Sequence, residues 1–102
     1  MKLPPPDGWI MKPSETFEAA YFRDVDPNPF LRDEFLFVWE ALERDPRSCG
    51  QPRSVDDTQN EHWVYASPKR IGRPGLRIWW LIQDKNILLG GLAVVNQPDA
   101  KN

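Results

Sequence analysis

The chain has one cysteine, Cys49, and one histidine, His62. A single thiol cannot close an internal disulfide, and that scarcity fits a reducing, cytoplasmic setting. One Cys and one His also leave no zinc-type ligand spacing, and no metal or other cofactor is expected. No apolar run approaches the length that spans a bilayer, and the mean hydropathy is -0.60, so membrane residence is not expected. The start, Met1-Lys2-Leu3-Pro4-Pro5-Pro6-Asp7, lacks the apolar core of a secretory leader. Surplus positive charge is missing too: the net charge is -2, which argues against general affinity for nucleic acid.

What is present is enough for one packed domain: 102 residues, with five Trp and five Phe. Charge is distributed unevenly. Residues 1–50 carry ten acidic and six basic side chains, whereas residues 51–102 carry five and seven. Lys69, Arg70, Arg73 and Arg77 fall in a stretch free of acidic residues. These cations are candidates for phosphate contact, although a run of charge is more often a solvated loop.

Residues 1–8 read as a proline-rich tail, residues 9–97 as one domain and residues 98–102 as a second tail. Trp9 to Lys12 has the pattern of a short strand. Ser14 offers an N-cap with Glu15 in the first turn, and Phe17, Ala20 and Tyr21 recur at helical spacing. Asn28-Pro29 is a favoured N-cap and N1 pair, opening a helix to Arg44 with an apolar stripe at Leu31, Phe35, Val38, Trp39 and Leu42. Asp45-Pro46 closes it. Arg47 to Glu61 reads as a long polar loop, and His62 to Ala66 as a strand. Pro74 to Val95 reads as a hairpin around a four-residue polar turn, with Gly90-Gly91 marking a bulge or a close backbone approach. The expected fold is α+β: a short N-terminal strand and two helices packed on a C-terminal three-stranded antiparallel meander. Within it Leu76, Ile78, Trp80 and Ile82 share one sheet face, while Arg77, Trp79 and Leu81 share the other.

Three local patterns in this order resemble the RelE/ParE toxin superfamily over residues 9–95. They are a helix ending Leu42-Glu43-Arg44-Asp45-Pro46 with Gly50 beyond it, the strand Gly75-Leu76-Arg77-Ile78-Trp79-Trp80 with its Asp84-Lys85-Asn86-Ile87 turn, and the apolar strand Leu88 to Val95. The resemblance implies a RelE/ParE-like fold and the toxin component of a toxin–antitoxin system, with an antitoxin as partner. RelE-type members enter the ribosomal decoding site and cut mRNA. ParE-type members act on DNA gyrase and do not cleave RNA. Arg77 matches the arginine that RelE-type enzymes hold near the scissile phosphate, and Lys69, Arg70 and Arg73 match the basic segment before it. Where the family usually carries a His/Lys-Arg pair after the last strand, this chain has Val94-Val95-Asn96-Gln97-Pro98.

Metal-independent RNA cleavage of this kind needs a base for the 2′-hydroxyl, a cation for the crowded phosphate charge and an acid for the leaving oxygen. Arg77 is the candidate cation and His62 the candidate base, the latter because histidine titrates near neutral pH. The plainer readings are a surface strand arginine and a hydrogen-bonded histidine. Tyr65 could stack on a base, but more often such a residue packs in the core. At least one of Trp79 and Trp80 should face away from the expected helices. An outward Trp beside Arg77, with Trp79 the candidate, could stack on a nucleobase but better suits contact with a protein partner or a second copy of the chain. Cys49 has no activating neighbour and is not expected to act as a nucleophile. Two functions stay open: a RelE-like ribosome-dependent endoribonuclease or a degenerate relative of one, and a non-catalytic protein-binding module on the same fold.

Overall fold

A computed structural model describes residues 8–68 and 72–96. Strand β1, Ile10–Pro13, leads into helix α1, Glu15–Ala20, which runs on through one π-helical turn, Tyr21–Val25. Helix α2 follows at Pro29–Arg44. Four strands come next: β2 Gln51–Val55, β3 Glu61–Ala66, β4 Pro74–Gln83 and β5 Asn86–Asn96. The five strands form one mixed sheet in the order β1-β5-β4-β3-β2, with β1 parallel to β5 and every other pair antiparallel.

Both helices begin where their caps dictate. Ser14 accepts a hydrogen bond from the Phe17 amide at 3.1 Å, and its own amide donates to the Leu89 carbonyl, fixing the start of α1 on β5. The Asn28 side chain accepts from the amides of Phe30 and Leu31, and Pro29 fills the first helical position, where no amide is needed. Leu31, Phe35, Val38 and Leu42 turn inward from α2, and Phe17 and Ala20 from α1. They meet Leu76, Ile78, Trp80 and Ile82 of β4 and Ile87 and Leu89 of β5 in one core. The helices therefore cover one face of the sheet, and their apolar stripes are what hold them there.

The antiparallel run contains four strands rather than three. Residues 47–61, expected as a loop, carry β2, which pairs with β3 from Gln51↔Val64 to Val55↔Glu61. All five β2 residues are exposed, so the alternation that betrays a half-buried strand is absent. The hairpin is closed instead by a side chain. One carboxylate oxygen of Asp56 accepts from the Thr58 amide, the Thr58 hydroxyl and the Asn60 amide, and the Asp56 amide donates to the Asn60 carbonyl. A break in register sits at Arg53, between Pro52 and Ser54. The β4–β5 turn is also tighter than expected. Gln83 pairs with Asn86, leaving a two-residue turn in which Asp84 takes the left-handed conformation at φ 54°. Gly90 is the extra residue of a bulge, because Trp79 faces Gly91 while Trp80 faces Leu89.

Two polar ties join the helical layer to the sheet. Glu34 of α2 accepts from the Tyr65 hydroxyl at 2.6 Å and from the Ser67 hydroxyl, whose oxygen in turn accepts from the Leu76 amide at 2.7 Å. Arg47, just past α2, makes a two-pronged ion pair with Glu61, its closest approach 2.6 Å, and lies over the Trp9 ring at 5.6 Å. Paired geometry of this kind holds an arginine far better than a single surface contact.

Candidate functional site

Alternation along the strands leaves a second sheet face that no described element covers. It carries His62 and Val64 of β3, Arg77, Trp79 and Leu81 of β4, and Leu88, Gly91 and Ala93 of β5. Val64, Trp79, Leu81 and Leu88 are partly accessible here, whereas the β4 residues facing the helices are buried. Trp79 sits at the centre with its indole across Gly91. A methyl group on Gly91 would meet the ring Cε3 at 3.0 Å, so the glycine is what lets the indole lie close to the sheet. Beside it lies a concavity of about 340 Å³ lined by Arg53, Ser54, His62, Trp79, Leu81 and Leu88.

The structure spreads the anticipated site residues around this face and beyond it. Arg77 is exposed, opposite Ala66 and Ala93, and no described residue pairs with it. His62 is opposite Leu81. Four residues of strand separate the two levels, roughly 13 Å at about 3.3 Å per residue. They share a face, with Trp79 between them, but they do not converge on a common atom. Arg73 lies over the Phe30 ring of α2 at 5.5 Å, on the helical side of the sheet, so its guanidinium and that of Arg77 point to opposite sides. Lys69 and Arg70 fall outside the described residues.

His62 is engaged. Its Nε2 donates to Asp56 Oδ2 at 2.9 Å, within the β2–β3 hairpin. The Asp56 carboxyl is held well below the usual carboxylate range, first by this bond and then by Thr58 and Asn60. Tyr65 turns to the helices, and burial together with the Glu34 carboxylate raises its phenol well above the ordinary 10.0. A raised folded-state value means that this tie stabilises the fold fully below about pH 10 and is lost as pH climbs beyond it. Denaturation measured from neutral to strongly alkaline pH is expected to show that decline, and Tyr65→Phe to flatten it. Burial also pushes the Cys49 thiol up, leaving little thiolate at neutral pH.

The open face thus has an apolar centre on Trp79 and cations at its two ends, Arg77 at one and Arg53 at the other. Among the described residues no acid–base pair stands beside Arg77, and no group of three or more His, Cys, Asp or Glu side chains converges as a metal site. Arg53, Asp56 and Glu34 are not among the site residues that the sequence suggests. For Asp56 the signal was there, since Asp56, Thr58 and Asn60 spell a side-chain-closed turn. Arg53 and Glu34 gave none, because Arg53 takes its place from the β2–β3 pairing and Glu34 from the packing of α2 on the sheet, which only the fold supplies. The chain matches no protein-family model, no curated protein and no solved structure.

Proposed function

We propose that the protein is a RelE/ParE-like toxin that acts by gripping a protein target through its open sheet face, with Trp79 as the central anchor and Arg77 and Arg53 as flanking cations. Its neutralising antitoxin would mask that same face. The observation that carries the reading is the mostly apolar surface around Trp79, on which no proton-transfer groups converge among the described residues. Buried at an interface, a Trp anchor of this kind is worth at least about 2 kcal/mol, a loss of roughly 30-fold in affinity when truncated. The element order supports the family part of the reading, since a strand, two helices and an antiparallel run are what the resemblance implies. A second reading, ribosome-dependent mRNA cleavage in the cytoplasm, draws on one observation. Arg77 is exposed and unpaired among the described residues, beside a tryptophan able to stack on a base.

Induced expression in a bacterial host separates them. Under the binding reading growth stops, transcripts stay intact, Trp79→Ser restores growth and Arg77→Ala still arrests it. Cleaved transcripts that disappear with Arg77→Ala would establish the nuclease instead. Unimpeded growth with the unaltered chain would refute both.

A further inference from the structure

A second docking surface lies on the far side of the molecule, in the helical layer. Between α1 with its π-helical turn and α2 runs a groove of about 340 Å³, floored by Phe17, Tyr21, Phe35 and Trp39 and edged by Phe22 and Leu36. Its aromatic rings form a continuous row: Phe22 to Tyr21 at 5.2 Å, Tyr21 to Phe35 at 4.6 Å and Phe35 to Trp39 at 5.7 Å. Phe22 is 65% exposed and Leu36 48%. Exposed apolar side chains grouped in a concavity mark an interaction site more often than isolated ones do.

The charge at the rim says what fits. Glu18 lines the groove, and Glu15, three residues earlier, shares its side of α1. On α2, Glu40 and Glu43 stand four residues beyond Leu36 and Trp39, on the same flank. All four carboxylates are exposed, and among the described residues none forms an ion pair. Against these four carboxylates, α2 sets two exposed cations by the same spacing, Arg32 four residues before Leu36 and Arg44 four beyond Glu40, so the rim keeps an acidic excess; Arg23 is already engaged by Asp24 at 2.8 Å. An anionic rim around an aromatic floor repels acidic peptides and anionic lipid, and attracts a ligand that is apolar on one face and cationic at its margins.

We propose that this groove docks a basic amphipathic helix of a partner protein. Apolar side chains one helical turn apart lie on Phe22, Leu36 and Trp39, and lysines or arginines face Glu18 and Glu40. The site is separate from the open sheet face, so it stands whether or not the toxin reading does. The test uses the full chain and two labelled helical peptides, one of leucine and lysine and one of leucine and glutamate in the same pattern. The Leu/Lys peptide is expected to bind with salt-sensitive affinity and the Leu/Glu peptide not to bind. Phe22→Ser and the double variant Glu18→Lys/Glu40→Lys should each weaken the Leu/Lys peptide by about tenfold or more. The charge-reversed pair should also admit the Leu/Glu peptide. Because these side chains are exposed, thermal midpoints should be unchanged, and Trp79→Ser should leave peptide binding intact. Failure of the Leu/Lys peptide to bind, equal binding of the two peptides, or indifference to the Glu18/Glu40 reversal would overturn the proposal. So would self-association in sedimentation that Phe22→Ser abolishes, which would assign the groove to a second copy of the chain.

Discussion

Replacing Gly50 with alanine is expected to destabilise the fold by about 2–5 kcal/mol, the sum of left-handed backbone strain and overpacking. Gly50 holds φ 89°, a conformation that residues with a Cβ rarely adopt. Space is the second obstacle. A Cβ there would lie 2.5 Å from the Val64 carbonyl oxygen and 2.7 Å from the Trp80 Cη2. Neither neighbour can withdraw cheaply. Val64 is paired on both sides, to Gln51 and to Trp79, and Trp80 is 2% exposed inside the core. Denaturant titration should show a lower midpoint with the slope retained. Gly90→Ala is the matched control. Its Cβ would meet nothing within 4 Å, and its φ is not left-handed, so stability should move by no more than about 0.5 kcal/mol. An unchanged midpoint for Gly50→Ala would mean that Gly50 does not lie against the Val64 carbonyl and the Trp80 ring.

Trp80→Ala is expected to cost about 3–5 kcal/mol, the range for removing a large buried aromatic. The ring stacks on Trp63 with centroids 6.4 Å apart and planes 16° from parallel. Its Nε1 donates to the Pro46 carbonyl at 3.2 Å, a bond that ties the end of α2 to the middle of the sheet. Trp80→Phe separates the two contributions. Most of the packing survives, the Pro46 carbonyl loses its donor, and the loss should shrink to about 1–3 kcal/mol. If the two variants fell equally, the hydrogen bond rather than the stack would dominate. The Trp80 and Gly50 sites touch, so their effects should not add in the double variant. Truncating the indole relieves one of the two clashes at Gly50 and leaves the Val64 carbonyl in place.

Much of this fold can be read from local chemistry. Asn28-Pro29 and the stripe through Leu42 place α2 at its observed limits, and alternation along β4 separates Ile78 and Trp80 from Arg77 and Trp79 on opposite faces. These features depend on side-chain spacing within one element. What stayed hidden depends on contact between elements. Strand β2 has no buried residue to announce it and exists because Asp56 folds the chain back onto β3. The same holds for the site. Arg73 and Arg77 are four residues apart and look like one patch in the sequence. Arg73 precedes the strand and settles over Phe30, while Arg77 lies within it and follows the pleat to the other side. The two described members of that cluster therefore lie on opposite sides of the sheet. His62 likewise stands alone in the sequence, and only the fold of the β2–β3 hairpin brings Asp56 beside it.

The two outermost strands have a further effect on how the molecule meets others. One border of the sheet is the four-residue β1, which finishes on Pro13; the opposite border is β2, which carries Pro52 and the register break at Arg53. Proline withholds an amide and an irregular border misaligns the rest, so neither rim offers the ladder that another chain needs in order to extend the sheet sideways. Fibril-like stacking is thereby discouraged, and binders are steered onto the broad surfaces rather than the margins.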